Sequence, residues 1–244
     1  GLRSGAWNGQ KWANIFPIYD VKGQFKIDLE EKEKGVIVCA AMIVYPNTPE
    51  EYTALISLEA WDKLQEYKKV WTEKMSRPPT ESDPLILERF SRQRPVTGKT
   101  VKSRISKLLL KSGLRGPLTE GKRRQEVPTT HGFRRYWDKV MKNESIKQGT
   151  LSALVIKERL LGHSGLVKTD KNYFWTGILE HVPDYLDAMP ELMINDEYRL
   201  REELKKKTIE SSRLETELKE KDVLLQRMSE LEAKVSRMQN YKIK

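Results

Sequence analysis

Between Phe16 and Ser57 the chain is rich in β-branched and aromatic residues, broken at turn-like points by Gly23, Gly35 and Pro46-Asn47. The pattern predicts three short antiparallel strands, near Gln24 to Leu29, across Val36 to Tyr45, and near Tyr52 to Ser57. Helical spacing then takes over. Trp61, Leu64, Tyr67 and Trp71 recur every three or four residues and share one helix face, which the reading assigns to the core. Arg77-Pro78-Pro79 ends that helix, because proline lacks the amide donor and disfavours helix in the residue before it. Further helices are expected at about Leu85 to Arg92, Lys99 to Lys111, Thr130 to Lys142, Leu151 to Leu161 and His181 to Ala188. The expected fold class is mainly α with a small three-stranded antiparallel sheet.

A different pattern begins near Asn195. Glu, Lys, Arg and Leu dominate, and no Gly or Pro breaks the run. Leu224, Met228, Leu231, Val235 and Met238 alternate spacings of four and three, the seam of a coiled coil. Leu214 and Leu218 cannot both join that seam without a skip, and a lone solvated helix is the competing reading. The pattern divides the chain into a globular part, 1–194, and a C-terminal coiled-coil helix, 195–244.

Composition narrows the partners. The 244 residues carry a net charge of +10 and a pI near 9.5, and surplus Lys and Arg gain free energy by displacing counterions from a polyanion. The longest apolar run, Val36 to Tyr45, is roughly half the about 20 residues a spanning helix needs, so it reads as a buried strand and no membrane partner is expected. Cys39 is the only cysteine, which excludes an internal disulfide and a cysteine-built zinc site. With no secretory signal in view, the expected location is the cytoplasm, associated with the nucleoid. The chain opens Gly1-Leu2-Arg3 without methionine, and is expected to be the remainder of a longer protein.

The positive charge is concentrated. Between Arg92 and Arg124 lie Arg92, Arg94, Lys99, Lys102, Arg104, Lys107, Lys111, Arg115, Lys122, Arg123 and Arg124, against one acid, Glu120. On the helix from Lys99 to Lys111, Val101, Ile105, Leu108 and Leu109 form the expected buried stripe, leaving Lys102, Arg104, Lys107 and Lys111 outward. A run of one sign costs self-repulsion unless an anion relieves it, so phosphate contact is expected from Lys99, Lys102, Arg104, Lys107, Lys111, Arg123 and Arg124. Such contacts set affinity and register on a duplex and carry little sequence information.

The chemistry-bearing residues are few. His131, His163 and His181 are the only histidines. In His131-Gly132-Phe133-Arg134 an imidazole and a guanidinium stand three residues apart, neighbours on a helix, with Phe133, Trp137, Val140 and Met141 expected to anchor the other side. Thr129 or Thr130 is the expected N-cap, which puts His131 in a first turn whose free amides and dipole favour an anion. In Leu160-Leu161-Gly162-His163-Ser164-Gly165 the glycine ends a helix and exposes His163 at a bend. Tyr173 follows ten residues later.

In order and spacing, Gly1-Leu2-Arg3, the HGFR motif, LLGHSG and the following tyrosine resemble the tyrosine recombinase family, most closely integrases of archaeal viruses and mobile elements. The resemblance spans Gly1 to about Ile194. It implies a catalytic core that cuts and rejoins double-stranded DNA, preceded in other members by a helical DNA-clamping domain. By position it makes Arg3 and Arg134 the grips on the scissile phosphate, His131 the proton-transfer partner of the nucleophile, His163 a donor to a phosphate oxygen, and Tyr173 the nucleophile, with Tyr185 as fallback. It implies no metal, cofactor or small-molecule substrate, and assembly as a tetramer on two duplexes, with Pro183 to Ile194 docking on a neighbour. The family's lysine turn between the second and third strands reads Pro46-Asn47-Thr48-Pro49-Glu50-Glu51, which leaves Lys22, Lys26 or Lys34 to substitute. Two other readings compete. One is an integrase relic that only binds DNA, and the other is an assembly protein acting through its coiled coil.

Overall fold

The structure, a computed structural model, describes residues 2–27, 29–30, 33–118, 120–122, 125–148, 158, 160–162 and 177–241. By internal contacts the chain forms two units, Gly1–Ile194 and Asn195–Lys244.

Two short 3-10 turns, Ser4–Trp7 and Trp12–Asn14, lead into β1 (Ile15–Val21). β2 (Gln24–Lys26), β3 (Val36–Val44) and β4 (Tyr52–Ser57) complete one antiparallel sheet in the order β2-β1-β3-β4. The sheet therefore has four strands where three were expected, and the first expected strand shrinks to Gln24–Lys26. β1 escaped notice because Pro17 interrupts it. Proline is tolerated there because β2 pairs only with Tyr19, Asp20 and Val21, so Pro17 has a neighbouring strand on one side alone.

β3 is the centre of the core. Cys39, Ala40, Ala41 and Met42 are buried in succession, so both faces of the strand are covered. Met42 and Val44 join Ala6, Ile15, Ala54 and Leu85 in one cluster, with Trp61 and Leu64 of α1 (Leu58–Met75) packed on it. Cys39 points the other way by strand alternation, and the buried Tyr185 lies near enough to feel it electrostatically. Burial pushes the Cys39 thiol up to about 12, so it behaves as a small apolar side chain.

α1 starts at Ser57, whose hydroxyl accepts the Ala60 amide at 3.3 Å, and stops at Ser76 in the left-handed region, just before the two prolines. Its expected core face is graded: Trp71 is fully buried, whereas Trp61, Leu64 and Tyr67 are half-buried. The helix expected over Leu85 to Arg92 is instead a small hairpin, β5 (Leu87–Arg89) with β6 (Arg94–Pro95), joined by a 3-10 turn. Leu85 and Leu87 are buried with Ile86 between them only partly so, a period of two that a three-residue apolar run does not distinguish from a helix turn.

α2 (Gly98–Lys111) and α3 (Thr130–Gln148) occupy the expected helical segments. Of the helix expected from Leu151 to Leu161, all but Glu158, Leu160 and Leu161 lies outside the described residues. α4 (Val182–Leu192) follows a 3-10 turn at Leu179–His181 and packs on α3 and β4. Its Val182, Tyr185, Ala188 and Met189 are buried with Trp137, Val140 and Met141 of α3. The segment expected to dock on a neighbour thus contributes its apolar face to its own chain, and of its large apolar residues Ile194 alone is strongly exposed, at 86%.

The second unit is α5 (Asp196–Tyr241), 46 residues long, with solvent-facing Leu200, Leu204, Leu214, Leu218, Leu224 and Leu231. Ion pairs one turn apart, such as Arg201 with Glu197 and Arg213 with Glu217, support it locally.

One buried polar residue locks the N-terminal segment to the sheet. Gln10 is 4% exposed, and its side-chain amide donates to the carbonyls of Ala6 at 2.9 Å and Ile43 at 3.1 Å. Gln10→Ala strips both acceptors of their donor at once. A loss of about 2 kcal/mol is expected, read as a lower urea midpoint with unchanged slope, because an unsatisfied buried polar group costs about 1–3 kcal/mol.

Candidate functional site

The site assembles from four segments. In the first, Leu2 packs on the core cluster while Arg3 is exposed. Arg3 has an extended backbone and caps the first 3-10 turn, its carbonyl accepting the Ala6 amide at 3.0 Å. The N-terminus of α2 seats directly on this turn. A Cβ on Gly98 would fall 2.2 Å from the Ser4 carbonyl oxygen, so only glycine permits the approach, and the Gly98 amide donates to the Asn8 side chain at 2.9 Å.

The second segment is the turn between β3 and β4. Tyr45 and Asn47 adopt left-handed backbones, φ 54° and 60°, and the Thr48 hydroxyl and Glu51 carboxylate hold the turn by bonds to the Tyr45 carbonyl at 2.8 Å and the Asn47 amide at 2.6 Å. At its base the rings of Tyr45 and Tyr52 meet at 6.3 Å. The Tyr45 hydroxyl reaches over Gly5, 3.1 Å from where a Cβ would be.

The third is α3. Thr129 stands just before its first residue, and its carbonyl accepts the Gly132 amide at 2.9 Å. Arg134 faces inward, 7% exposed, and its Nη2 donates to the Leu161 carbonyl at 2.5 Å. The fourth is the turn at Leu161-Gly162. Gly162 has φ 67°, and a Cβ there would lie 2.5 Å from the Tyr52 ring. Glycine is required on both counts.

Tyr52 is where the four meet. Its hydroxyl is sealed from solvent and makes no hydrogen bond of strict geometry. Burial raises its pKa, the charges of Arg134 and, least, of Arg3 oppose the rise, and the neighbouring Tyr45 adds to it. Arg3 and Arg134, 131 positions apart in sequence, therefore act on one phenol. Two guanidiniums thus bring positive charge to one neighbourhood, which favours an anion there.

The remaining expected residues fall as follows. His131 is exposed in the first turn of α3, three positions before Arg134. Phe133, expected to anchor the helix, is instead 56% exposed, and Trp137, Val140 and Met141 do the anchoring. His163, Tyr173, Arg123 and Arg124 lie outside the described residues. Tyr185 is 2% exposed, and burial raises its pKa strongly. It is a packing residue and no nucleophile.

None of the three substitute lysines stands near the arginines. The register pairs Ile15 with Met42 and Asp20 with Val36, so Lys22 in the β1–β2 turn and Lys34 before β3 sit at the end of the sheet opposite Tyr45 and Tyr52. The length of β3 puts that separation at about 25 Å. Lys26 pairs with Tyr19 in the register, and its ammonium forms an ion pair with Glu33.

On α2, Lys99, Lys102, Arg104, Lys107 and Lys111 are all exposed. Arg104 also donates to the Glu88 carbonyl at 2.8 Å. The apolar stripe is narrower than expected, for Val101, Ile105 and Leu109 are half-buried and Leu108 is 65% exposed. Three further cations of the stretch have local partners: Arg94 with Glu88 at 3.6 Å, Lys122 with Glu126 at 2.7 Å, and Arg115 with Ser106 and the Val127 carbonyl.

The tyrosine pair is what sequence reasoning passed over, and Gly162 was read only as a helix end, without its close approach to the Tyr52 ring. The available clue was the placement of Tyr45 and Tyr52 at the two ends of one turn. Among the described residues no helix is long and apolar enough to cross a membrane. Comparison with protein-family models, curated proteins and solved structures gives no match.

Proposed function

We propose that the chain is the catalytic part of a tyrosine recombinase, which cleaves and rejoins double-stranded DNA through a 3′-phosphotyrosyl bond. The observation that carries the reading is the buried Arg134, bonded to the carbonyl that precedes Gly162-His163, with the charges of Arg134 and Arg3 both felt at Tyr52. In this reading the two guanidiniums grip the non-bridging oxygens of the scissile phosphate, because their forks match phosphate geometry and stay charged. His131 accepts the Tyr173 phenol proton, and His163 donates to a phosphate oxygen. The tyrosine oxygen bonds to phosphorus as the bond to the 5′-oxygen breaks, and that oxygen takes a proton from water to leave as the hydroxyl. A phenol ionises near pH 10, so the positive field at the site is what makes attack feasible at neutral pH. The ester retains the bond energy, and the reverse step reseals the strand without nucleotide or metal.

The exposed cations of α2 supply the duplex-binding surface, continuous through Gly98 with the turn that carries Arg3. α5 supplies self-association, consistent with a tetramer on paired sites. A nicked suicide duplex carrying the ends of the element tests the reading: it should trap a covalent complex that survives denaturant, and failure on every such duplex would overturn the assignment. Charge reversal at Lys102 and Lys107 should weaken DNA binding for all sequences. It should also reduce the slope of log affinity against log salt by about 2, measured by fluorescence anisotropy.

One observation favours a second reading, a DNA-binding protein that no longer cleaves. The β3–β4 turn holds no lysine, and Lys22 and Lys34 lie at the far end of the sheet. Salt-sensitive binding with no covalent complex on the suicide duplex would select it.

A further inference from the structure

We propose that the β5–β6 hairpin is a second duplex contact, whose Arg89, Arg92 and Arg94 hold phosphates of the same DNA that α2 binds. This rests on the DNA-binding reading above and extends that surface beyond the helix.

A two-stranded hairpin is marginal by itself, and this one is held as a fixed arm by its ties to α1. Phe90, in the turn between the strands, turns inward, its ring centroid 5.8 Å from Tyr67 and 6.1 Å from Trp71. The Tyr67 hydroxyl accepts the Leu87 amide at 2.9 Å. The arm is equally tied to α2. β6 ends at Pro95, and Thr97, two residues on, caps the helix by accepting the Thr100 amide at 3.3 Å. From the second turn of α2, Arg104 reaches back and donates to the Glu88 carbonyl of β5 at 2.8 Å. Hairpin and helix are thus one arginine side chain apart, and one donor of Arg104 is committed to joining them.

The arm presents positive charge against its own stability. The register sets Arg89 directly across from Arg94, and both are exposed. Like charges opposite each other on one sheet face are destabilising unless an anion sits between them. Glu88 is the only acid on the hairpin or α2, and it lies 3.6 Å from Arg94. Among the described residues Arg89 and Arg92 form no ion pair. With Phe90 turned inward, the exposed tip is Ser91, Arg92 and Gln93, which offers no apolar anchor of the kind a protein partner needs. Guanidinium forks on a fixed arm beside the cations of α2 match a phosphate backbone instead.

The test uses the full chain, a duplex carrying the ends of the element and an unrelated duplex of equal length. Arg89→Gln with Arg92→Gln keeps polar side chains and removes the like-charge opposition, so the melting point should equal or exceed that of wild type. Both duplexes should bind about 10- to 30-fold more weakly near about 0.15 M salt, and the slope of log affinity against log salt should fall by about 2. Arg92→Gln alone should lower the slope by about 1. Hydroxyl-radical footprints at saturating protein should lose protection at sugars that the Lys102 and Lys107 charge-reversal variant still protects. An unchanged slope in the hairpin variants overturns the proposal, as does loss of the same protected sugars in both variants, and weaker binding by the α2 variant then leaves the DNA reading standing. If wild type binds neither duplex, both fall. If the hairpin effects appear as stated while wild type forms no covalent complex, the hairpin contact stands and the recombinase reading gives way to a protein that binds without cleaving.

Discussion

Tyr173→Phe is expected to abolish the covalent protein–DNA complex while leaving non-covalent DNA affinity within about twofold. The phenol oxygen is the atom that would bond to phosphorus, and phenylalanine keeps the ring while removing that atom. No gradual loss is expected, because a group that forms the bond has no weaker substitute. Two of the other tyrosines are excluded by their surroundings. Tyr185 is 2% exposed in the α3–α4 core with its ionisation disfavoured by burial, and the Tyr52 hydroxyl is sealed beneath Gly162. The measurement is a denaturant-resistant mobility shift on the nicked suicide duplex, with peptide mapping of the wild-type adduct. An adduct persisting in the phenylalanine variant, or mapped to another tyrosine, would show that Tyr173 is not the nucleophile.

The extent to which this molecule could be read in advance follows from where local pattern decides structure. α1 and α2 were legible because apolar residues recur at helical spacing, and α5 because a long charged, leucine-bearing run holds no Gly or Pro to break it. β1 was not, because its proline argues against a strand unless the limited reach of β2 is known, and that is a property of pairing between segments. The hairpin at Leu87–Pro95 was misread for a similar reason, a short apolar run that fits either period until its partner strand is known. Leu108 marks the converse limit: its position on the helical stripe is correct, but nothing in the sequence says that the neighbouring chain stops short of covering it.

At the site, Arg3 and Arg134 were legible through motif order, and Gly162 as a helix terminator. The tyrosine pair was hidden, since a tyrosine at a strand end looks like any packing aromatic. Its meaning comes from two glycines, Gly5 and Gly162, distant in sequence, that make room for it. The substitute lysines failed on register. β2 and β3 both pair antiparallel with β1 and so run the same way, which puts Lys22 in the β1–β2 turn at the end where β3 begins and the β3–β4 turn at the end where it stops.

Arg134→Ala should lower the single-turnover rate of adduct formation by about 10²- to 10³-fold at saturating DNA, the usual effect of removing one transition-state donor. Two consequences of the substitution must be separated. The first is structural: the Leu161 carbonyl loses its donor, at a cost of about 1–3 kcal/mol, and the turn that leads into His163 is released. The second is electrostatic, the loss of one of the two positive charges that act on Tyr52. Arg134→Lys distinguishes them. A lysine restores a charge but presents a point donor in place of a fork, so it cannot hold the Leu161 carbonyl and a phosphate oxygen in the same geometry, and rate recovery of about tenfold or less is expected. If stability loss alone were responsible, the alanine rate would return on cooling well below its melting point. If the rate of the alanine variant stays near wild type under those conditions, Arg134 is a structural tie between α3 and the Leu161 turn and the phosphate must be gripped elsewhere.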